Sequence, residues 1–471
     1  MPLRAKISPS FLQRYFTGAE AAPEVKFHSL KASRTVTLNR PNKLNSLNLN
    51  MVEEILPRLQ EWEKSDAAKL VVLKGEGEKS LCAGGDVAAL ASGIANEGEA
   101  GSKKATHYFE REYILDQYIA TYPKPFVALQ DGITMGGGVG LSVHAPFRIA
   151  TEKTMFAMPE TNIGFFPDVG GTFFLSRLDG ELGVYLGLTS ERLKGFDALY
   201  AGVATHYVPS NRLPDLEARL AELTHPRGVD SSSEVDLYTV INNVIEEFCE
   251  PFPQDYAFSL SGEKRKVIDT CFAHDSVEEI LTALSNHPSE FAQKTKETIS
   301  KRSPTSVKVA LAAIRRAKQN DFTANITGEY HLAEHFMYHP DFVEGVSALL
   351  LTKPSREPKW TPAQLADVKD ADVASFFSKK PGTNAGDIKF LTKKTFKEYP
   401  HNFGLPSEQE IKDYVLGNNS TREFKATRQE VLDHFADLYK GKLGLEYKVN
   451  EVLSRKTTPD SSDPSLLDWV Y

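Results

Sequence analysis

Two glycine-rich turns, each placed between a strand-like run and a helix-like stretch, constrain the fold of this chain more than any other feature. The run "KLVVLKG" (69–75) predicts a buried strand and is followed by "LCAGGD", while "KPFVALQDG" (124–132) leads into "GITMGGGVGLSVH". Glycine costs about 0.5–1 kcal/mol relative to alanine inside regular structure, so such runs are typical of places where something approaches the backbone closely. Strands that alternate with helices need crossover connections, and the pattern therefore predicts an α/β fold.

Further elements are predicted on both sides of these turns. The alternation in "SRTVTLNR" indicates a strand, and residues 47–65 have helical periodicity with Asn48 or Asn50 as the N-cap. We expect another strand in "FRIATEKTMFAMPE" and two helices in the region that follows it. Near the C-terminus, Ser407 and Glu410 have the spacing of a capping box.

Composition and pattern divide the chain into four predicted segments. The first, "MPLRAKISPSFLQRYF" and the residues after it, contains Arg and Lys but no acidic residue before Glu20. This pattern is typical of a mitochondrial presequence, and the alternative is a disordered tail. The predicted segments are a presequence or tail at 1–22, an α/β core at 23–210, a helical region at 211–377, and a linker with a helical C-terminal extension at 378–471.

Charge, cysteine content and hydropathy exclude several classes of protein. A net charge of −8 argues against a dedicated nucleic-acid binder, and we expect no direct DNA binding. Cys82, Cys249 and Cys271 show no C-x-x-C spacing, which favours a reducing compartment and gives no indication of a zinc site or any other metal. No apolar run reaches the roughly 18 residues that a membrane span needs, so no membrane partner is expected.

The glycine turns suggest a specific chemistry if they lie side by side. A turn from a strand into a helix leaves backbone N–H groups without partners, and two such turns can direct two N–H groups at one oxygen. That arrangement is an oxyanion hole, in which each donor contributes about 2.7–4 kcal/mol to acyl transfer. The dinucleotide pattern G-x-G-x-x-G and the phosphate-binding pattern G-x-x-x-x-G-K-[ST] are both absent.

Three carboxylates are candidates for the same site. Glu160 and Asp168 lie among Phe165, Phe166 and other apolar residues, where loss of solvent raises a carboxyl pKa and suits it to proton transfer or attack. The alternative for either residue is a helix cap. Glu112 lies on the apolar face of a helix predicted over 104–122, and its alternative role is a buried salt bridge.

The motifs together resemble one family. The turn "CAGGD", the stretch "DGITMGGGVGLSVH" and the stretch "FAMPETNIGFFPDVGGTFFLSRL" resemble the crotonase (enoyl-CoA hydratase/isomerase) superfamily, and more closely its 3-hydroxyisobutyryl-CoA hydrolases. The resemblance covers roughly residues 25–360. It implies a fold of repeated ββα units that form two nearly perpendicular sheets, followed by helices.

The resemblance also assigns roles to individual residues. It places the oxyanion-hole amides at Gly85 and Gly137, and it makes Glu160 and Asp168 the catalytic acids, with Glu112, Gly137, Glu160 and Asp168 in contact with substrate. Hydratases of the superfamily have a second glutamate where this chain has Gly140, and usually a glycine where it has Asp168. This pattern favours thioester hydrolysis over hydration.

The resemblance carries further expectations about substrate and partners. Coenzyme A would be part of the acyl-CoA substrate, so no metal or separate cofactor is implied, and valine degradation in the mitochondrial matrix is the expected setting. Some mitochondrial relatives serve as proteins of the small ribosomal subunit, which makes ribosome association the main alternative. Enoyl-CoA hydration or isomerisation is a third alternative.

Overall fold

The computed structural model describes residues 22–223, 236–380, 388–418 and 425–470. The predicted presequence at 1–22 lies almost entirely outside these ranges. In the described parts of the chain, no helix is both long and apolar enough to cross a bilayer.

A six-stranded sheet forms the centre of the core. Its strands, in spatial order, are β1 (Val25–Leu30), β2 (Ser33–Leu38), β3 (Leu70–Gly75), β5 (Phe126–Gln130), β7 (Phe147–Ala150) and β10 (His206–Tyr207). The β1–β2 pair is antiparallel, and every later pair is parallel. Parallel pairing requires the crossover connections that the sequence pattern predicts, and the α/β prediction is confirmed.

A second sheet of four short strands carries the glycine turns. Its order is β4 (Ser80–Cys82), β6 (Ile133–Met135), β8 (Met155–Ala157) and β9 (Leu193–Lys194), with β4, β6 and β8 parallel. The single strand expected in "FRIATEKTMFAMPE" is thus wrong, because β7 and β8 belong to different sheets. A tight turn separates them, in which Thr151 N donates to Thr154 Oγ1 at 2.7 Å.

Helices cover the sheets and make up most of the chain beyond residue 210. Those of the core are α1 (Leu49–Lys64), α2 (Val87–Glu97), α3 (Glu99–Ala120), α4 (Gly137–Val143), α5 (Gly171–Leu175), α6 (Leu182–Thr189) and α7 (Phe196–Tyr200). The helical region contains α8 (Leu213–Ala221), α9 (Leu237–Glu246), α10 (Glu263–Cys271), α11 (Val277–Asn286), α12 (Glu290–Ser300), α13 (Pro304–Ala317), α14 (Phe322–Met337), α15 (Pro340–Val346) and α16 (Asp370–Phe376). The N-cap of α1 is Asn48, whose side chain accepts from Met51 N.

Apolar side chains alternate between two cores on opposite faces of the six-stranded sheet. Val71 and Leu73 of β3 lie in the main cluster, whereas Leu70 and Val72 belong to a second cluster that α8 and α9 cover. A parallel sheet is stable when both faces are covered, which explains the continuous apolar run in this strand.

The C-terminal extension has a small core of its own and is held to the main core by ion pairs. Its elements are α17 (Glu408–Leu416), α18 (Arg428–Leu438), α19 (Leu445–Lys456) and a hairpin of β11 (Thr457–Pro459) and β12 (Leu467–Trp469). The capping box of Ser407 and Glu410 is present at the start of α17. A hairpin was not expected in this segment, because strands of three residues leave no period in the sequence.

Candidate active site

The two glycine turns lie against each other. They follow β4 and β6, whose carboxyl ends meet because these strands are parallel neighbours. A Cβ atom built on Gly137 would lie 3.4 Å from the amide nitrogen of Gly85. A Cβ atom on Gly136, where φ is +46°, would lie 3.4 Å from Gly84 Cα. The strands directly before the turns are therefore β4 and β6 of the second sheet. The longer strands β3 and β5, which the apolar runs at 69–75 and 124–132 predict, belong to the six-stranded sheet.

Two carboxyl groups flank the second turn. A Cβ atom on Gly136 would lie 2.9 Å from Glu160 Oε1, and a Cβ atom on Gly137 would collide with Glu112 Oε1. Glu160 opens a short 3₁₀ turn after β8, and Glu112 comes from α3. Both side chains are buried, and Glu112 Oε1 and Glu160 Oε2 have no hydrogen-bond partner among the described residues. Glycine at both positions leaves room for these two acids.

Neither glutamate fulfils the structural alternative considered for it. The N-cap of the turn at Glu160 is Pro159, and no side chain caps that turn. Arg111, next to Glu112, pairs with Glu53 at 2.6 Å, and Glu112 makes no ion pair within the described ranges. Each of these buried acids therefore keeps one carboxyl oxygen without a hydrogen-bond partner among the described residues.

Asp168 is the third acid, and it does not cap the helix that follows it. The N-cap of α5 is Gly170, without a side-chain cap. Asp168 Oδ2 instead accepts a hydrogen bond from the hydroxyl of Tyr113 at 2.7 Å. Tyr113 is on α3, one residue after Glu112, so one helix turn presents both groups to the site.

Burial sets the protonation of the three acids. It raises the pKa of Glu112 and Glu160 well above the usual range of a carboxyl group, and the nearby Asp168 adds to both shifts. Burial also raises the pKa of Asp168 to about 7, although the Tyr113 hydrogen bond opposes the shift. Carboxyl groups with raised pKa values are suited to proton transfer near neutral pH.

A fourth buried acid, Asp116, was not found from the sequence. It lies one helical turn after Glu112, and neither of its oxygens has a partner among the described residues. A Cβ atom on Gly140 would lie 2.9 Å from Asp116 Oδ1 and 2.5 Å from Val169 Cβ. Asp116 of α3 and Val169 therefore fill the space beside Gly140, the position at which hydratases have a second glutamate.

The turn that carries Asp168 is held from two sides. Val169 has φ +57°, a left-handed conformation that is strained for a β-branched residue. Glu329 of α14 accepts from Gly170 N at 2.6 Å and from Thr172 N at 3.1 Å. His144, at the end of α4, donates from Nε2 to the Val169 carbonyl at 2.8 Å. The sequence gives no indication of these contacts. Glu329 lies about 160 residues after Asp168, and His144 belongs to the second glycine motif.

A cleft of about 320 Å³ opens beside the first turn, lined by Leu47, Asp86, Leu90, Ala105 and Tyr108 among others. The Tyr108 hydroxyl lies 2.9 Å from a Cβ atom built on Gly85. The cleft therefore reaches Tyr108, whose hydroxyl lies against the first glycine turn. Within the described ranges, no group of three or more His, Cys, Asp or Glu side chains has the arrangement of a metal site.

Proteins with similar sequences include a ribosomal protein and several acyl-CoA hydrolases. The chain is 46% identical to the small ribosomal subunit protein mS47 of Neurospora crassa, over 97% of this chain and 91% of that protein. It is 44% identical to a mitochondrial 3-hydroxyisobutyryl-CoA hydrolase of Danio rerio, over 77% of this chain and 92% of that protein. For the Homo sapiens protein of the same name, the identity is 42%, over 79% of this chain and 92% of that protein.

Solved structures and a family model agree on the fold. A carnitinyl-CoA dehydratase from Mycobacterium thermoresistibile superimposes with a TM-score of 0.68 and 34% identity, covering 79% of this chain and 99% of that one. An enoyl-CoA hydratase from Rhodobacter sphaeroides gives 0.65 and 32%, with 76% and 98% covered. The model of the enoyl-CoA hydratase/isomerase family matches residues 33–377. This chain, with its paired glycine turns and buried acids, therefore belongs to the enoyl-CoA hydratase/isomerase family.

Proposed function

We propose that the protein hydrolyses the thioester of 3-hydroxyisobutyryl-CoA to 3-hydroxyisobutyrate and coenzyme A. The observation that carries this proposal is the grouping of three buried acids, Glu112, Glu160 and Asp168, around two adjoining glycine turns. Asp116 and Val169 leave no room for a glutamate side chain on residue 140. Hydration of a double bond in this family needs the acid that Gly140 lacks. The similarity to proteins named as this hydrolase supports the same reaction.

The backbone amides of Gly85 and Gly137 bind the oxygen of the thioester carbonyl. The proximity of the two glycines, and the cleft that opens beside the first turn, support this assignment. Two N–H donors polarise the carbonyl and stabilise the negative charge that develops on its oxygen when the carbon is attacked. Coenzyme A enters as part of the substrate and leaves as the thiol, so the reaction needs no other cofactor.

Glu160 acts at the carbonyl carbon. In one route, its carboxylate displaces the coenzyme A thiolate to form a mixed anhydride, which water then hydrolyses. In the other, Glu160 removes a proton from the water that attacks directly. Borohydride reduction of quenched enzyme converts the Glu160 side chain to an alcohol only on the first route, and mass spectrometry of the peptide distinguishes the two.

Asp168 and Glu112 bind the acyl group. Asp168 Oδ2 is occupied by the Tyr113 hydroxyl, and we assign the other oxygen to the β-hydroxyl of the substrate or to the water that reacts. Glu112 lines the acyl pocket beside Gly137. A hydroxyl on the acyl chain is therefore the feature that this pocket recognises.

Thiol release from a panel of acyl-CoA thioesters tests the proposal. The panel contains 3-hydroxyisobutyryl-CoA, isobutyryl-CoA and acetyl-CoA, and we expect the first to give the highest kcat/KM. Glu160→Gln should lower kcat by about 10²-fold or more, as expected when a group that acts in the transition state is lost. Glu110→Gln, on α3 two residues before Glu112 but outside the site, serves as the control. Equal rates for Glu160→Gln and wild type would refute the proposal.

A second function is favoured by the extent of the similarity to mS47, which covers 97% of this chain, whereas the family model ends at residue 377. We propose that the protein is also a component of the small subunit of the mitochondrial ribosome, located in the matrix. Sedimentation of mitochondrial extract through a sucrose gradient tests this. Co-migration with the small subunit supports the role, and recovery only at the top of the gradient contradicts it.

A further inference from the structure

A segment that lies beyond the family match crosses the core behind the candidate active site. We name residues 388–405 the strap; they precede α17 and begin after the family model ends at residue 377. Three strap carbonyls accept hydrogen bonds from the core. Gln117 Nε2 donates to Lys394 O at 3.0 Å, Phe322 N donates to Phe396 O at 2.9 Å, and Arg177 Nη2 donates to Lys397 O at 2.6 Å.

One strap side chain connects to the turn that carries Asp168. The Tyr399 hydroxyl lies 2.8 Å from His144 Nδ1, and His144 Nε2 lies 2.8 Å from the Val169 carbonyl. A carbonyl can only accept, so Nε2 carries the imidazole proton and Nδ1 accepts from the tyrosine. Burial lowers the pKa of His144 to about 4, which keeps the ring neutral and this pattern fixed. The chain of contacts thus runs from Tyr399 through His144 to the backbone beside Asp168.

The turn needs this support. Val169 is held at φ +57°, and a left-handed β-branched residue persists only where its surroundings fix it. Glu329 holds the amides of Gly170 and Thr172, which leaves the Val169 carbonyl to His144. The Tyr399 ring packs at 5.5 Å from Phe173, within α5, so the strap also contacts the helix that follows the turn.

We propose that Tyr399 is a positioning residue for the reaction: through His144 it fixes the Val169 carbonyl, and thereby the Asp168 carboxyl, in the geometry that hydrolysis requires. This inference rests on the proposed hydrolase function. It makes the strap, which the family model does not cover, part of the catalytic architecture. A ribosomal partner that bound the strap would act on the same contacts.

The test uses four full-length variants. Tyr399→Phe removes the hydroxyl and keeps the ring, and Tyr439→Phe is the matched control, since that hydroxyl bonds Glu410 within the extension at 2.9 Å. His144→Gln and the double variant Tyr399→Phe/His144→Gln complete a double-mutant cycle. With 3-hydroxyisobutyryl-CoA, we expect Tyr399→Phe to lower kcat about tenfold, a moderate loss of transition-state stabilisation, with KM unchanged. Tyr439→Phe should match wild type.

The double variant shows whether the effect passes through His144. If it does, Tyr399→Phe lowers kcat no further once His144 is replaced. The proposal would be overturned if kcat of Tyr399→Phe equalled that of wild type or of Tyr439→Phe. It would also be overturned if the losses from Tyr399→Phe and His144→Gln were additive in the double variant.

A measurement without substrate separates this inference from the proposed function. Hydrogen exchange of the peptide over residues 165–175 should be faster in Tyr399→Phe than in wild type and unchanged in Tyr439→Phe. If wild type releases no thiol, the proposed function fails, and the exchange result alone decides the inference. Equal exchange in Tyr399→Phe and wild type would then overturn it.

Discussion

At the scale of single residues, the site depends on glycines, which have no side chain, as much as on the acids packed against them. Gly136 and Gly137 leave room for Glu160 and Glu112, and Gly140 leaves room for Asp116 and Val169. The acids that occupy these spaces lose solvent and gain few partners. Such groups are costly to the fold, and their retention beside the glycine turns indicates use in chemistry.

The raised pKa of Asp168 predicts a pH-dependent cost in stability. Its pKa rises from the ordinary aspartate value of 3.8 to about 7 on folding, so the folded state binds this proton more tightly than the unfolded state. The stabilising contribution is complete below pH of about 3.8 and is lost as the pH rises to about 7. Asp168→Asn removes this dependence. We expect its Tm to exceed that of wild type by more at about pH 8 than at about pH 5. A constant difference between the two pH values would contradict the assignment.

Restoring the hydratase glutamate should not restore hydration. In Gly140→Glu, the new Cβ would lie 2.5 Å from Val169 Cβ and 2.9 Å from Asp116 Oδ1, and overpacking of this kind costs about 1–3 kcal/mol. We expect lower Tm, loss of thioester hydrolysis and no hydration of crotonyl-CoA. The experiment compares wild type, Gly140→Glu and Gly140→Ala by calorimetry and both assays. A stable Gly140→Glu variant that hydrates crotonyl-CoA efficiently would show that the space is not filled as described.

At the scale of secondary-structure elements, the extension is attached to the core by buried charges. Arg455 of α19 lies between Glu408 of α17, Glu451 and Asp269 of α10, and its guanidinium is nearly inaccessible. Arg265 of α10 contacts the same Glu408 at 3.0 Å. Buried ion pairs of this kind fix one arrangement of elements, because removing one partner leaves a buried charge uncompensated.

Arg455→Ala should therefore destabilise the protein strongly. Glu408 and Asp269 keep Arg265 as a partner, so the loss of one of their buried ion pairs is expected to cost about 1–3 kcal/mol, and unfolding should begin in the extension. Arg428→Ala is the control, because that side chain donates hydrogen bonds to the neutral side chains of Asn450 and Ser454 within the extension. Chemical denaturation followed by circular dichroism measures both. A loss no larger than that of Arg428→Ala would show that the ionic cluster does not hold the extension.

The elements also show what sequence can and cannot predict. The α1 cap at Asn48, the capping box at Ser407 and the glycine turns are local patterns, and the structure has them where expected. Glu112, Glu160 and Asp168 could be proposed as site residues because each is an acid in an apolar stretch, and the structure brings the three close together. Asp116 and His144 were not assigned a role, because their part in the site depends on contacts across α3, α4 and the turn at Val169. The short strands β4 and β6 leave too few residues to show a period.

At the scale of the whole molecule, one chain combines a family core with an extension that the family model does not cover. Ile388 and Leu405, at the two ends of the strap, belong to the main hydrophobic cluster, so the strap is part of the same core as one face of the central sheet. The helices and hairpin from α17 onward form a further cluster of their own. The fold therefore allows a catalytic site and a separate docking unit in one protein.

The N-terminal segment is predicted to direct import into mitochondria. Fusion of residues 1–17, which contain Arg4, Lys6 and Arg14 and no acidic residue, to a fluorescent reporter should give mitochondrial localisation. Replacement of the three basic residues by glutamine should leave the reporter in the cytosol. Diffuse fluorescence from the unmodified fusion would contradict the prediction.

The most direct test of the central claim is a comparison of two reactions catalysed by the same wild-type preparation. Three acids surround two glycine turns, and no glutamate side chain fits at residue 140. This arrangement should favour attack on the thioester carbonyl over addition of water to a double bond. We predict that kcat/KM for hydrolysis of 3-hydroxyisobutyryl-CoA exceeds that for hydration of crotonyl-CoA by about 10²-fold or more, a difference of roughly 2.7 kcal/mol in transition-state binding. Efficient hydration of crotonyl-CoA with no cleavage of the hydroxyacyl thioester would contradict the account.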